Sequence, residues 1–339
     1  MAGPERRRRV VFLVEDPGSA SARTRGHDLL PGLRDAGIEA RVEPLARGAL
    51  ARRKQLASLA QNDVVVLGRK LLREGDLARL RRAARALVFD VDDALPERPT
   101  DARRRGRSWS RPRRFADAVR AADLVVVGSA ALRELVKDHP RVRVLPVAVA
   151  IPARVPERGT GDGVTAPVSI LWTGSRPTLV YLEKLRAPLA TLKRRRPLVE
   201  LEVVADAPPS LDARFTPWTL ESEEAALARA DLGVMPLSGD AWSRGKCGLK
   251  LALYLAWGLP AVSSRFGAGN ELVEPPHTGL LADDEGEWLC ALDLLAGDPV
   301  LRRAMGARAR AEAAARLSLE ARVRSWAAVL DEARRLGAK

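Results

Sequence analysis

The segment VSILWTGS, residues 168–175, decides the fold. An apolar run ends in a Gly-Ser turn and is followed by helical spacing over 178–195, the strand–turn–helix order of a doubly wound sheet. The chain before it already has that rhythm. Strand candidates are VVFLVED (10–16), IEARVEPL (38–45), DVVVLG (63–68), ALVFDVD (86–92), DLVVVGS (123–129) and RVRVLPVAV (141–149). Helical spacing separates most of them, over 23–36, 49–61, 74–85, 112–122 and 130–138. Short Val/Leu-rich strands without polar alternation imply a parallel sheet covered on both faces. PARVPERGTGDGVTAP (152–167) then interrupts with proline, glycine and charge and reads as a linker, so residue 168 begins a second unit.

Outward from that second start come strands VELEVVAD (199–206), DLGVMPL (231–237), LPAVSS (259–264) and TGLLA (278–282). Helices are expected near 221–230, 246–256, 285–296, 299–315 and 319–336. The fold class is α/β: two doubly wound, Rossmann-like domains facing a central cleft, where the carboxyl ends of both sheets meet. The division expected is 1–152, a linker over 153–167, a second domain over 168–318 and a terminal helix over 319–339.

The 339 residues include two cysteines, Cys247 and Cys290, which suits a reducing, cytoplasmic setting and no disulfide framework. The basic start MAGPERRRRVVFLVEDPG has too short an apolar run for a signal peptide, and no run is long enough to span a bilayer. Net charge is +14 and unevenly placed: residues 1–150 hold 32 Lys/Arg against 19 Asp/Glu, and the remainder 25 against 24. A basic first domain suits anionic lipid, a phosphorylated acceptor or nucleic acid. With 4% aromatics and neither a recognition helix nor an RNA-stacking motif, no nucleic acid partner is expected.

Three turns in the second domain carry phosphate-type chemistry. WTGSRP (172–177) offers Gly174, Ser175 and Arg176 after a strand, and FGAGNELV (266–273) offers Gly269, Asn270 and Glu271 before a short helix. GKCGLK (245–250) opens another helix with Lys246 and Lys250 four positions apart. Cations are unfavourable at a helix amino terminus, so the two lysines are either a solvated edge or hold an anion. The neighbouring Gly-rich turns favour a diphosphate, with Glu271 accepting from a ribose or sugar hydroxyl. The G-x-x-x-x-G-K-[ST] spacing of a Walker loop is absent.

LVFDVDDALPERP puts Asp90, Asp92 and Asp93 at a strand end. A D-x-D pair could hold a divalent metal, a haloacid-dehalogenase-type phosphatase starts in a similar way, and one aspartate could simply cap the turn. Ala94 stands where the phosphatase motif has Thr or Ser. The reading preferred here rests on the family resemblance given below, by which Asp92 stands where related enzymes carry a His facing the cleft, and takes Asp92, with Asp93 beside it, as catalytic. SASARTRGHDLL (19–30) brings Arg23, Arg25 and His27 to the acceptor side, unless they form a solvated basic turn. Trp218 could stack on a nucleotide base or serve as core or hinge. The runs RRRR (6–9) and DARRRGRSWSRPRR (101–114) read as exposed charge, the second with Trp109 in a composition suited to a membrane interface. Three histidines, with His139 and His277 read as surface residues, make a histidine-rich metal site unexpected.

The run ADLVVVGSAALRELV, with ILWTGS, RADLGVMPLSGDAWSRGKCGLKLALYLAWGLPAVSS and GNELVEPPHTGLLADD, resembles family 4 (group 1) glycosyltransferases of the GT-B fold over nearly the whole chain. The resemblance implies a nucleotide-sugar donor on the second domain, a carboxy-terminal helix crossing back to the first, and transfer with retention and without metal or other cofactor. The acceptor would be a glycan or lipid-linked glycan; separately, the positive charge of the first domain allows a peripheral contact with an anionic inner membrane face. Two departures stand out. The glutamates that the family spaces eight apart fall on Gly245 and Leu253, and its Arg/Lys pair is replaced by Arg176 and the more distant Lys184, leaving Lys246 and Lys250 to supply the basic contacts. The alternatives are a non-catalytic anion-binding protein and a metal phosphatase built on Asp90 and Asp92.

Overall fold

The computed structural model describes residues 8–100, 108–157 and 159–338. Of the two basic runs singled out above, Arg6, Arg7 and residues 101–107 lie outside the described residues. The first sheet contains β1 (Arg8–Val14), β2 (Ile38–Pro44), β3 (Val64–Gly68), β4 (Leu87–Val91), β5 (Leu124–Val127) and β6 (Val142–Val144). All pair in parallel, in the order β2-β1-β3-β4-β5-β6, with Val10 opposite both Ala40 and Val64. Its helices are α1 (Ala20–Arg25), α2 (Leu30–Asp35), α3 (Ala49–Ser58), α4 (Glu74–Ala83), α5 (Ser110–Ala121) and α6 (Ala130–Glu134).

The second sheet contains β7 (Val168–Thr173), β8 (Val199–Ala205), β9 (Arg214–Pro217), β10 (Leu232–Met235), β11 (Ala261–Ser263) and β12 (Gly279–Leu281), in the order β12-β11-β10-β7-β8-β9. Around it lie α7 (Arg186–Arg195), α8 (Leu220–Arg229), α9 (Ala241–Arg244), α10 (Leu249–Ala256), α11 (Ala268–Leu272), α12 (Glu285–Gly297) and α13 (Pro299–Arg316). The last helix is α14 (Leu319–Gly337).

Burial follows the alternation of side chains along each strand. Val11, Leu13, Val65 and Leu67 face Leu56, Leu77, Leu80 and Phe115 of α3, α4 and α5. Val10, Phe12, Val64 and Val66 face the other way, against Leu29, Leu33 and the apolar stripe of α14. The second sheet is covered likewise, with Leu171 and Val204 toward α8, α10 and α13, and Ile170 and Val203 toward α7 and α12. Both faces of the inner strands are dry, which is why they read as apolar runs, whereas the edge strands β2, β6 and β9 keep exposed polar residues.

Several elements differ from expectation for local reasons. The helix expected over 23–36 divides at Gly26 and resumes as α2, with Pro31 in its first turn. The stretch 176–185 is 3-10 rather than α-helical; Pro188 has no N–H to donate to the carbonyl of residue 184, and regular α-helix begins only at Arg186. The helix expected from residue 246 starts at Leu249, after Gly248 as its N-cap, so Lys246 precedes it and only Lys250 lies in its first turn. Strand β9 has no counterpart in the sequence reading: RFTP is four residues ending in proline, tolerated because β9 is an edge.

Helix α14 starts beside the second lobe, with a Val149–Ser318 bridge, and packs onto the first. Trp326 is 1% exposed and meets Phe12 edge-on, with centroids 5.4 Å apart at 75°. Arg8–Asp331 and Arg143–Glu332 ion pairs flank this contact. Truncating a buried tryptophan costs ~3–5 kcal/mol, so Trp326→Ala should destabilise the first lobe by that amount in urea denaturation. A loss below ~1 kcal/mol would show that α14 is not part of that core.

Candidate functional site

In each sheet the strand order reverses at a point where two neighbouring strands send their chains to opposite sides, leaving a crevice at their carboxyl ends. In the first sheet this lies between β1 and β3, and in the second between β7 and β10. The two crevices face each other across a cleft of about 810 Å³. Asp16, Ser21, Arg69, Asp92 and Asp93 line it from the first lobe, and Thr173, Gly174, Met235, Lys246 and Lys250 from the second.

The two lysines both reach the cleft but do different things. Lys246 Nζ lies 2.9 Å from Asp93 Oδ1, a pair that crosses between lobes, and 4.9 Å from the Trp242 ring centre. Lys250 Nζ sits 4.6 Å from the ring centre of the buried Trp172 and has no carboxylate partner among the described residues. Burial pushes the Lys250 ammonium down to about 7, with repulsion from Lys246 adding to it and Glu223 opposing. Gly174 makes the approach possible: a Cβ there would stand 2.7 Å from Lys250 Nζ and 2.5 Å from the Trp172 ring. A half-buried ammonium without a carboxylate partner, a glycine turn and an open cleft together form a seat for an anion.

Each carboxylate of the acidic turn after β4 has a cationic partner. Arg25 holds Asp90 bidentately, with Nε–Oδ2 at 2.8 Å, and also donates to the Leu145 carbonyl at 3.1 Å. Burial opposes the Arg25 charge, yet Asp90 outweighs it and drives the guanidinium pKa up. Arg69 Nε lies 3.3 Å from Asp92 Oδ1, and its Nη2 also pairs with Asp93. Ser21 donates to Asp92 Oδ2, and the Cys247 thiol to the Asp92 carbonyl at 3.0 Å. Burial alone would raise the Asp92 carboxyl, but Arg69, Arg25, the Ser21 hydroxyl and Lys246 together hold it below its usual range. Asp93 goes the other way: burial, with Asp92 adding to it, outweighs Lys246 and Arg69 and raises it. Arg69 carries φ +43°, the one non-glycine residue in the left-handed region among the described residues, a local strain maintained by its two carboxylate contacts.

Other residues singled out in the sequence are distributed unevenly. Arg23 and Trp218 meet in the cleft, the guanidinium 5.7 Å from the ring centre, while Arg23 also approaches Glu223 at 3.8 Å. Ser175 lines the rim. Arg25 lines the cleft but is committed to Asp90, so it holds the β4 turn rather than standing free for an acceptor. His27 is exposed and outside the lining, because the chain turns at Gly26 before reaching it. The Arg176 side chain is also outside; its backbone N–H goes to Asp206. Gly269 is packed on the Ser264 carbonyl and Asn270 is exposed, both away from the cleft. Glu271 does not face a ligand either: its carboxylate accepts from Ala130 N and Ala131 N at 3.0 and 3.3 Å, capping α6 of the opposite lobe.

Asp90, first read as one half of a metal-holding or nucleophilic pair, is consumed by Arg25, and no cluster of metal-ligating residues occurs among the described residues. At Gly245 a Cβ would lie 2.7 Å from the Ala94 Cβ and 2.8 Å from the Ala94 nitrogen, so no glutamate fits there as the chain stands. Leu253 lines the cleft as an apolar wall. Sequence reading missed Arg69 and Glu223. The first sits one residue past a strand end, a usable signal; the second lies in the first turn of α8, where only burial separates it from Glu221 and Glu224. Thr173 Oγ1 donates to Glu223 at 2.5 Å on the cleft floor.

The family described as Glycosyl transferases group 1 matches residues 185–298. No curated protein matches the chain. Among solved structures, a sucrose-phosphate synthase from Thermosynechococcus elongatus has a TM-score of 0.73 at 17% identity, over 96% of this chain and 99% of that one. Anabaena HepE, in complex with UDP and glucose, has a TM-score of 0.67 at 16% identity, over 95% of this chain and 99% of that one. The fold is therefore GT-B.

A lysine that titrates near 7 when folded and near 10.5 when unfolded makes the unfolded chain bind more protons between those values. Stability contributed by this site therefore rises with pH over that window. Lys250→Met should melt higher than the parent in the absence of ligand, with the gap widest below pH 7 and closing toward 10.5. A gap independent of pH in calorimetric scans would contradict the burial of this charge.

Proposed function

We propose that the chain is a glycosyltransferase that moves a sugar from a nucleoside-diphosphate donor to a hydroxyl of a glycan or lipid-linked glycan. The observation that carries this reading is the uncompensated Lys250 ammonium beside the Gly174 turn, on a two-lobed cleft large enough for a nucleotide sugar. The partial family match and the GT-B architecture support it. The diphosphate would take the Lys250 charge and the N–H groups at the Gly174–Ser175 turn, drawing a proton onto the lysine as it binds. Lys246 is within reach of the same anion while bridging to Asp93.

Trp218 offers an aromatic face for the base, and Glu223 offers a carboxylate for sugar or ribose hydroxyls in place of the absent glutamate pair. Asp92, kept ionised and aimed at the cleft, would accept from the acceptor hydroxyl or offset positive charge developing at the anomeric carbon. Transfer with retention and without a metal or other cofactor completes the proposal, hexosyl transfer being its finer form, on the cytoplasmic side of a membrane. The three carboxylates of the β4 turn are already matched by Arg25, Arg69 and Lys246, and a divalent ion would have to displace them.

Because the Anabaena neighbour is described with UDP and glucose, uridine diphosphate is the first ligand to titrate. A charge-assisted contact is worth about 1.5–3 kcal/mol, so Lys250→Ala should weaken binding in calorimetry by roughly 10- to 100-fold. Binding to the parent near pH 8 should take up protons, seen as a dependence of the heat on buffer ionisation enthalpy. Unchanged affinity in the variant would remove the basis of the assignment. Asp92→Asn should leave donor affinity intact while lowering turnover roughly 100- to 1,000-fold. Equal turnover would remove Asp92 from the chemistry.

A further inference from the structure

In a parallel layer each helix starts where the preceding strand ends. The first turns of α3, α4 and α5 therefore share the edge of the first sheet that also bears Asp16, Arg69 and Asp92 of the cleft. Two ion pairs tie these turns side by side: Arg52–Asp76 at 3.3 Å between α3 and α4, and Arg113–Glu74 at 3.5 Å between α5 and α4. The rim beside the cleft mouth is thus one continuous surface of the first lobe.

Its composition is unusual in two independent ways. Leu50, the second residue of α3, is 68% exposed, and Trp109, the residue preceding α5, is 95% exposed. Around them the charge is almost all positive: residues 47–54, 73–76 and 111–114, at the starts of the three helices, hold eight Lys/Arg against two acidic residues. Both acids are already paired, Asp76 with Arg52 and Arg79, and Glu74 with Arg113. Arg47, Arg53, Lys54 and Arg73 are exposed and make no ion pair among the described residues.

We infer that this rim docks on an anionic bilayer, with Leu50 and Trp109 entering the headgroup layer and the surrounding cations facing lipid phosphates. An indole has an apolar body and one N–H, which suits the boundary between acyl chains and water. A leucine has neither a stacking face nor a hydrogen-bonding group to offer a nucleic acid, but it gains from leaving water. Surface cations are attracted to an anionic leaflet individually and within a Debye length, so the unpaired ones dominate. No helix among the described residues is long and apolar enough to cross a membrane, so the contact is one of surface docking. Docked this way, the cleft mouth opens beside the headgroups, where a lipid-linked acceptor would present its hydroxyl; that consequence rests on the glycosyl-transfer reading above.

The test is sedimentation of the full chain with vesicles of phosphatidylcholine containing roughly one-third phosphatidylglycerol, against pure phosphatidylcholine. Binding is expected to the anionic vesicles alone and to weaken as salt rises from about 0.1 to about 0.5 M. Leu50→Ala with Trp109→Ala, and separately Arg53→Glu with Lys54→Glu, should each weaken it on the order of tenfold or more. All four positions are exposed or half-exposed helix-surface sites, so unchanged melting curves should accompany the loss. Failure of the parent to sediment, or full binding by either pair of variants, would overturn the inference, as would tighter binding to a structured RNA than to the vesicles. Nucleoside-diphosphate calorimetry on the same proteins separates the two ideas. If it persists while vesicle binding fails, only the docking surface is lost; if it fails while vesicle binding persists, only the transfer reading is lost.

Discussion

Lys246 crosses the cleft to Asp93, and the arrangement of charge around the site depends on that pair. An ammonium from the second lobe meets a buried carboxylate from the first; Lys246 has no other carboxylate partner among the described residues, while Asp93 is shared with Arg69. The pair belongs to a cluster in which Asp90, Asp92 and Asp93 are matched by Arg25, Arg69 and Lys246. Every carboxylate there has a cationic partner, and Lys250 stands outside the cluster. The cleft thus has a neutralised acidic side on the first lobe and one unmatched cation on the second.

Holding that unmatched cation is costly to the folded chain. Trp172 gives Lys250 an aromatic face and Gly174 gives it room, but neither neutralises it. Sites that will bind an anion commonly carry this kind of unrelieved charge, with the ligand completing the electrostatics. The strain at Arg69 belongs to the same pattern, since a left-handed non-glycine backbone is retained where its side chain binds two carboxylates.

The lobes are also joined outside the cleft. Glu271 caps α6 from the opposite lobe, and α14 leaves the second lobe to complete the core of the first. These contacts fix which edges of the two sheets face each other, and hence bring the basic rim at the starts of α3, α4 and α5 beside the cleft mouth. The charge imbalance between halves of the sequence takes physical form there, as a surface whose acids are already spoken for.

The sequence by itself determined the strand–helix alternation, the parallel character of both sheets and the strand that starts at Val168, because apolar periodicity and turn chemistry are local properties. Even its misplacements were local: a proline moved the start of α7, and a glycine cap moved that of α10 past Lys246. Asp92, Asp93, Gly174 and Trp218 after strand ends, and Lys246 and Lys250 at a helix opening, were legible in the sequence, and all six line one cleft. Only tertiary structure decided which charges were already taken. Lys246 and Asp93 are 153 positions apart, and Glu271 lies 141 from the amide it caps. Partnership across such distances is fixed by how two sheets are docked, not by any spacing along the chain. The partner that sets Lys246 apart from Lys250, and the burial that sets Glu223 apart from its acidic neighbours, are likewise properties of the packed lobes.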